Sequence, residues 1–216
     1  MLDSSLFICY STPNYSKLTN IFLESLNVIN VNNINHVIDD ISFENTGFQT
    51  ELWYYCVRNK INHLINVIKN PSCVKYFIFT DCDIIYIKKN IDEWHNLENY
   101  IQNEDKDIFF MRENYTDDVN SGFFVIKNNN IENIINFFVE VLETIDTTEK
   151  VNMPLGDQSI INNLKNKINY GVIPNDYVIY GMEIYNSNKS LFHHAVCCRD
   201  VDDKINQINE IIALLK

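Results

Sequence analysis

Hydrophobic positions along this chain follow two alternating patterns. Short apolar runs, typical of buried strands, are separated by longer segments in which apolar residues recur every three or four positions, as in amphipathic helices. The predicted strands are Leu6–Tyr10, Asn35–Ile38, Val74–Thr80, Ile84–Ile87, Asp107–Met111, Gly122–Ile126, Ile173–Pro174, Tyr177–Tyr180 and Leu191–Cys198. The predicted helices run from Pro13 or Asn14 to about Leu26, over Thr50–Lys69, Ile91–Ile101 and Ile131–Ile145, from Gly156 to about Leu164, and over Ile205–Leu215. This alternation, without an internal repeat or a linker, predicts an α/β fold in which helices sandwich a mixed β-sheet.

Length and composition fit one folded domain. The 216 residues are 46% hydrophobic and 12% aromatic, which is enough for a sizeable core. We expect a domain over residues 1–199 and an amphipathic helix over 200–216 that packs on the domain or extends it. The formal net charge of −12 argues against a broad phosphate-binding surface, so nucleic acid is not an expected partner.

Cysteine spacing and the N-terminal sequence indicate a reducing compartment. The six cysteines form no C-x-x-C pair, and several lie in apolar runs, so we expect reduced thiols rather than a zinc knuckle or a disulfide framework. The chain does not begin with a basic, hydrophobic leader, and no apolar stretch approaches the roughly 18 residues of a membrane helix. We expect a cytoplasmic protein without a transmembrane segment.

The strongest chemical signal follows the apolar run Tyr76–Thr80, where Asp81-Cys82-Asp83 precedes a second apolar run. Because side chains alternate along a strand, Asp81 and Asp83 can point to the same side. Two carboxylates held together are costly unless a cation lies between them. The pattern indicates a divalent-metal site at a sheet edge, where ligands bind in α/β proteins. A solvated acidic turn is the alternative.

Two polar clusters are further candidates for binding or catalysis. Asn120 and Ser121 offer hydrogen-bond donors and acceptors for sugar hydroxyls, and Gly122 allows close backbone approach to a ligand. Asp157, beside Gln158 at a predicted helix start, could orient a hydroxyl or act as a base. Taken alone, the first cluster is also compatible with an ordinary loop-to-strand junction, and Asp157 with a helix N-cap.

Two neighbouring histidines lie on the last predicted strand. His193 and His194 point to opposite faces there, so only one of them reaches a given metal. Imidazole suits Mn²⁺ or a similar ion better than Ca²⁺. The alternative is one packed and one exposed histidine.

In order and spacing, these four clusters resemble the nucleotide-sugar glycosyltransferases of the GT-A fold, which is a Rossmann-like mixed sheet between helices. The likeness is to the nucleotide-diphospho-sugar transferases, which include glycogenin-like enzymes and small glycosyltransferase domains of large DNA viruses. It extends from Leu6 to about Cys198. The family's Asn-x-Gly-Phe-Phe strand corresponds to Asn120–Phe124, and its late histidine pattern favours His194 over His193, although the glycine that usually follows is absent here.

The resemblance implies a DxD-dependent transferase that uses a nucleoside-diphosphate sugar, with a UDP-sugar favoured, together with Mn²⁺ or Mg²⁺. The implied metal ligands are Asp81, Asp83 and His194, with the donor ribose as an alternative contact for Asp81. The implied donor-binding residues are Thr12, Asn14, Tyr15, Arg58, Lys60, Asp81, Asn120, Ser121 and Gly122. The family's Asp-Gln pair matches Asp157 and Gln158, so Asp157 is implied to bind sugar or act as a general base. Retaining and inverting chemistry both stay open.

Other functions remain open at this point. A haloacid-dehalogenase-type phosphatase also has an apolar strand followed by D-x-D, although that motif normally lies near the N-terminus. A nucleotidyltransferase would need a glycine-rich, basic N-terminal loop, which Ser11–Tyr15 is not. A degenerate transferase domain would bind carbohydrate, or assemble with a partner, without turnover.

The resemblance leaves the acceptor open, as a glycan or another compound that carries a hydroxyl. The helix from Asp200 onward lies outside the likeness and is a candidate surface for a homo-oligomer or another partner. A compact chain rich in Asn and Ile fits a large DNA virus, in which case the host cytoplasm is the expected location. A protist or bacterial source stays open.

Overall fold

The computed structural model of the protein describes residues 1–40, 50–70, 73–87, 91–114, 116–150 and 155–215, without the side chains of residues 51, 52, 149 and 150. Two predictions fall outside these residues: that Pro71 ends one helix, and that Pro154 leads into another. The side chain of Leu52, predicted in an apolar stripe, lies outside them as well.

Within the described residues, the strands form two sheets. The strands are β1 (Ser5–Ser11), β2 (Ile34–Ile38), β3 (Tyr76–Thr80), β4 (Ile84–Tyr86), β5 (Ile108–Arg112), β6 (Val119–Lys127), β7 (Tyr170–Ile173), β8 (Val178–Tyr180), β9 (Glu183–Ile184) and β10 (Phe192–His194). The larger sheet has the order β2-β1-β3-β6-β5-β7, and the smaller one β4-β10-β8-β9. In the larger sheet β6 is antiparallel to both β3 and β5, while the other pairs are parallel. The predicted mixed α/β sheet is therefore confirmed.

Helices cover both faces of the larger sheet. They are α1 (Ser16–Val28), α2 (Glu51–Ile68), α3 (Ile91–Asn103), α4 (Ile131–Lys150), α5 (Asp157–Leu164) and α6 (Val201–Leu214). One core cluster joins the sheet to α1, α3 and α6 and to the smaller sheet, and the other joins it to α2, α4 and α5. Alternation along β3 explains this division, because Ile78 belongs to the first cluster while Phe77 and Phe79 belong to the second. A strand covered on both faces reads as a continuous apolar run, as β3 does.

Several predicted elements have other bounds in the structure. The strand predicted at Ile173-Pro174 is Tyr170–Ile173, and the last helix, predicted from Ile205, begins at Val201. The strand predicted over Leu191–Cys198 ends at His194, and Cys197 has a φ of 59°, a left-handed conformation that a continuous strand cannot contain. The strand predicted to begin at Gly122 begins at Val119, so the polar cluster before Gly122 lies inside a strand rather than at a loop junction. The predicted strand Tyr177–Tyr180 starts one residue later, after a short 3₁₀ turn.

Among the described residues, no helix combines the length and the apolarity that a membrane crossing requires.

Candidate active site

Asp81 and Asp83 lie on the turn between β3 and β4, which connects the larger sheet to the smaller one. The backbone N–H of Asp81 donates to Gly122 O at 2.7 Å, which ties the end of β3 to β6. The N–H of Ala195 donates to Asp83 O at 3.0 Å, which ties the same turn to the residue after β10. Backbone bonds on both sides therefore fix the two carboxylates, and their position does not depend on side-chain packing alone.

Strand pairing brings a histidine to this turn. In the antiparallel pair of β10 and β4, His194 lies opposite Ile84, the residue that follows Asp83. Its Nε2 atom is 3.5 Å from Asp83 Oδ1. His193 points the other way, with its Nε2 atom 2.9 Å from Gly181 O. The alternation predicted for the two histidines places His194, and not His193, in the site.

Each of the two carboxylates, Asp81 and Asp83, contacts a lysine. Lys60, on α2, lies 3.3 Å from Asp81 Oδ1 and 2.7 Å from Asp157 Oδ2. Lys204, on α6, donates to Asp83 Oδ2. The side chains of Lys60 and Lys204 are 12% and 18% exposed, so water screens these ion pairs little.

Burial and these lysines shift the ionisation of the site. Burial alone lowers the pKa of Lys60, but the Asp157 and Asp81 carboxylates outweigh it and raise the net pKa above the usual lysine value. Burial raises the pKa of Asp83, but Lys204 and His194 outweigh that effect and hold it well below its usual range. For Asp81 burial dominates, and Lys60 only partly offsets it, so the pKa of Asp81 is raised. The two acids of the motif thus lie in different environments.

The side chains of Asp81, Asp83 and His194 are of the types that bind a divalent cation, although they do not stand at metal-coordination geometry. Asp83 Oδ1 is buried and makes no hydrogen bond within the part of the chain that the structure describes. It faces His194, and Asp81 flanks the same space, so two carboxylates and one imidazole converge, a ligand set that suits Mn²⁺. In the described ranges, no group of three or more His, Cys, Asp or Glu side chains already stands at metal-binding geometry.

Two cavities meet at the acidic pair. The smaller has a volume of about 230 Å³ and is lined by the end of β1 and the segment that follows it, including Tyr10, Thr12 and Tyr15. Thr12 and Tyr15 were predicted donor contacts, whereas Asn14 is exposed and is not among the described residues that line either cavity. Lys60 and Trp53 line both cavities.

The larger cavity, of about 700 Å³, collects most of the other predicted site residues. They are Asn120, Ser121, Gly122, Asp157 and Gln158. Asp157 is the first residue of α5 and not its N-cap, which is Gly156, so the capping alternative for Asp157 is wrong.

Gly122 lies at a crowded point of the site. A Cβ atom added there would lie 3.0 Å from Asn120 Oδ1 and 3.1 Å from both Asp81 Oδ2 and His194 Cε1. The absence of a side chain at Gly122 lets these three groups approach one another. Gly122 thus has a packing role in the site, in addition to the backbone approach that its sequence context predicted.

Arg58 was a predicted donor contact, but its Nε atom donates to Asp146 Oδ1 at 2.7 Å, across the packing of α2 on α4. Glu113, Tyr180 and Lys204 are among the residues that line the larger cavity without having been predicted. Glu113 follows β5 as Asp81 follows β3, and both strands end at the same edge, so its position after an apolar strand was a usable signal. The sequence holds no comparable signal for Lys204 or Tyr180.

The sequence profile of the nucleotide-diphospho-sugar transferase family matches residues 21–208, so the chain belongs to this family. Its class is therefore glycosyltransferase, and a nucleotide sugar is the expected kind of donor. The match extends into α6, which the sequence analysis had left outside the resemblance. A search of curated proteins by sequence finds no significant match.

Solved structures share the fold. One is a glycosyltransferase involved in the glycosylation of the major capsid of PBCV-1, with a TM-score of 0.63 and 12% identity over 94% of this chain and 99% of that one. Another is the glycosyltransferase GlyE of Streptococcus pneumoniae TIGR4, with a TM-score of 0.58 and 15% identity over 97% of this chain and 64% of that one. The predicted GT-A-type arrangement of a mixed sheet between helices is confirmed.

Proposed function

We propose that this glycosyltransferase uses a divalent metal ion to transfer a sugar from a UDP-sugar to an acceptor hydroxyl, in the synthesis of a glycan. The observation that carries the proposal is the position of Asp81, Asp83 and His194 at the junction of an aromatic cavity and a larger polar one. The junction is where the diphosphate of a nucleotide sugar would lie if its base and its sugar occupied one cavity each.

The smaller cavity suits a nucleotide base and ribose. Tyr10, Tyr15 and Trp53 supply aromatic surface on which a planar base can stack. Thr12 adds a hydroxyl that can both donate and accept. Although Asn14 is exposed in this structure, we keep it as a candidate contact for the outer part of the nucleotide.

The metal ion is proposed from the ligand chemistry. Asp81, Asp83 and His194 would hold Mn²⁺ or Mg²⁺, and the bound ion would neutralise the negative charge of the leaving diphosphate. In a chain with a net charge of −12, few other cations are at hand for that purpose. Lys60 would assist from the sugar side, since its ammonium already spans the acidic turn and α5.

Asp157 and Gln158 would act on the sugar and the acceptor in the larger cavity. The Lys60 ammonium lies 2.7 Å from Asp157 Oδ2 and so holds the Asp157 carboxylate beside the acidic turn. From there Asp157 would orient a sugar hydroxyl, stabilise charge near the anomeric carbon, or act as a general base. Asn120 and Ser121 would contact the sugar from the strand opposite.

The proposal is tested by the release of nucleoside diphosphate from UDP-glucose, UDP-galactose, UDP-N-acetylglucosamine, GDP-mannose and GDP-fucose, with and without Mn²⁺. We expect Mn²⁺-dependent release from at least one UDP-sugar. Asp83→Asn should lower the release by at least about 100-fold, beyond the loss usual for residues that only support a metal ligand. Asp176→Asn, a matched change at a solvent-exposed ion pair with Lys189, should leave it unchanged. Release that is equal in wild type and Asp83→Asn would contradict the proposal.

A further inference from the structure

The Glu113 carboxylate accepts hydrogen bonds from three side chains, which lie on three different elements. Its Oε2 atom accepts hydrogen bonds from Asn120 Nδ2 at 2.5 Å and from Gln158 Nε2 at 3.0 Å. Its Oε1 atom accepts a hydrogen bond from the Tyr180 hydroxyl. The partners lie on β6, α5 and β8, and Glu113, Asn120, Gln158 and Tyr180 all line the larger cavity.

An irregularity in the sheet positions this carboxylate. The register of β5 against β6 shifts between Phe110 and Met111, so that Met111 pairs with Asn120. Such shifts change the direction in which the following side chains point, and they are common beside functional sites. Beyond the strand, the Glu113 N–H donates to Asp118 O at 2.9 Å, which holds the backbone in place.

The carboxylate determines which way two amide groups face. An ionised carboxylate only accepts hydrogen bonds, so Asn120 and Gln158 must each turn their NH₂ group toward it. Their carbonyl oxygens then point to backbone N–H groups of β6: Gly122 N donates to Asn120 Oδ1 at 2.8 Å, and Ser121 N donates to Gln158 Oε1 at 3.4 Å. An amide rotated by 180° would set its oxygen against the carboxylate, acceptor against acceptor, and its NH₂ group against the backbone N–H, donor against donor.

The orientation of the Asn120 amide bears on the surroundings of Asp81. Asn120 Oδ1 and Asp81 Oδ2 both lie next to Gly122, 3.0 and 3.1 Å from the position of a Cβ atom there. Glu113 is therefore two hydrogen bonds away from the backbone of Gly122, whose carbonyl accepts the hydrogen bond of the Asp81 N–H. Gln158, which donates the second hydrogen bond to Glu113, belongs to the residue pair proposed to act on the sugar.

We propose that Glu113 is a positioning residue of the transfer reaction, which fixes the amide orientations of Asn120 and Gln158 and holds the Tyr180 hydroxyl on the wall of the larger cavity. The assignment rests on the proposed function. If Glu113 were only a satisfied carboxylate at a strand end, its removal would affect folding stability alone. As a positioning residue, it affects turnover more than it affects nucleotide binding.

Glu113→Gln and Glu113→Ala separate these cases. A carboxamide can keep its oxygen toward Asn120 and Gln158 and turn its NH₂ group to Tyr180, whose hydroxyl then accepts instead of donating. Glu113→Gln therefore preserves two of the three hydrogen bonds and reverses the direction of the third, whereas Glu113→Ala removes all three. Tyr180→Phe removes only the hydrogen bond from the Tyr180 hydroxyl. Glu140→Gln, on α4, is a matched control, because Glu140 forms an ion pair with Lys167 outside the site.

The test measures kcat with the donor that wild type uses, and the Kd for UDP by calorimetry. We expect Glu113→Ala to lower kcat by about 10- to 100-fold, as a small misplacement of reacting groups does. Glu113→Gln and Tyr180→Phe should lower kcat by about two- to tenfold, with the Kd for UDP within about threefold of wild type in every variant. Glu140→Gln should match wild type.

Each other outcome is decisive. If Glu113→Ala keeps the wild-type kcat, or loses UDP binding as strongly as turnover, the positioning role is wrong. If Glu113→Ala does not fold, the graded losses in Glu113→Gln and Tyr180→Phe support the role, and wild-type kcat in both overturns it. Wild type that turns over no nucleotide sugar overturns the proposed function, and with it this role, whereas active wild type with unaffected variants overturns the role alone.

Discussion

The ammonium of Lys60 lies 2.7 Å from Asp157 Oδ2 and 3.3 Å from Asp81 Oδ1, so that one mostly buried cation joins the acidic turn after β3 to the first residue of α5. Through this contact, two predicted site residues from distant parts of the sequence share a single counter-charge. Both carboxylates depend on it, because burial without a partner cation is costly for an ionised group.

Replacing Lys60 with methionine should therefore destabilise the fold. Removal of one partner from a buried ion pair typically costs about 3–5 kcal/mol, since an uncompensated charge stays behind. Urea unfolding at neutral pH measures the change in the free energy of unfolding. Lys17→Met, at an exposed ion pair with Asp202, should change it by less than about 0.5 kcal/mol.

The double variant Lys60→Met/Asp157→Asn checks the cause of this loss. Because the second change removes one of the stranded charges, it should recover part of the stability that Lys60→Met loses. If the double variant is less stable than Lys60→Met by the full effect of Asp157→Asn alone, the two residues are not coupled.

Lys204 should compete with the proposed metal ion for Asp83. Its ammonium contacts Asp83 Oδ2, so a divalent ion that binds this carboxylate must displace it or share the group with it. We expect Lys204→Gln to bind Mn²⁺ more tightly than wild type does, by about tenfold or 1.4 kcal/mol, as measured by calorimetry without nucleotide. Lys17→Gln, a matched change at another contact of α6, should bind Mn²⁺ as wild type does. Weaker or equal binding by Lys204→Gln would show that Lys204 does not block the cation.

Gly122→Ala tests the close approach of the site groups. The added Cβ would lie 3.0–3.1 Å from Asn120, Asp81 and His194, so one of these groups must move. A crowded core position of this kind costs about 1–3 kcal/mol when a methyl group is added. Gly171→Ala, where the Cβ would lie 2.8 Å from the Phe109 ring, is a control of similar crowding on β7. Both variants should lower the melting temperature, but only Gly122→Ala should weaken Mn²⁺ binding; equal Mn²⁺ binding in both would contradict the account.

The sequence could predict the parts of this site that follow from strand periodicity. Asp81 and Asp83 follow a strand whose continuous apolar run is typical of burial on both faces, and alternation along β10 places His194 and His193 on opposite sides. These inferences need only the local geometry of a strand. The same local argument predicted the helices and a mixed sheet, but not the strand order or the second, smaller sheet.

Long-range pairing was beyond such arguments. Lys204 contacts Asp83 across 121 residues of sequence, and Arg58 pairs with Asp146 instead of entering the site. Helix periodicity shows which face of α2 or α6 is apolar, but not which polar residue at its margin meets a distant carboxylate. The end of β10 at His194 could not be predicted either, because the apolar run continues to Cys198 although the backbone turns at Cys197.

His193 should make the stability of the protein depend on pH. Burial lowers its pKa to about 4, although the bond to Gly181 partly opposes this, against about 6.5 for an exposed histidine. Between these values the unfolded chain binds the proton and the folded one does not, so stability falls as the pH drops from about 6.5 to about 4. At 1.36 kcal/mol per pKa unit, the loss approaches about 3 kcal/mol.

Urea unfolding of wild type and His193→Gln at about pH 7 and pH 5 isolates this contribution, because the other titrating groups are common to both proteins. Wild type should lose more stability than the variant between the two pH values. An equal loss in both would mean that His193 does not titrate on unfolding in this range.

The central claim is that Asp81, Asp83 and His194 form the metal-dependent binding site of a nucleotide-sugar donor. Its most direct test is the melting temperature of wild type and Asp83→Asn with UDP, with and without Mn²⁺. A ligand present at about 100 times its Kd stabilises a protein by about 2.7 kcal/mol, which is a readily measured shift. We predict a shift that requires both UDP and Mn²⁺ and is lost in Asp83→Asn. No shift in wild type at millimolar UDP and Mn²⁺, or the same shift in Asp83→Asn, would contradict the claim.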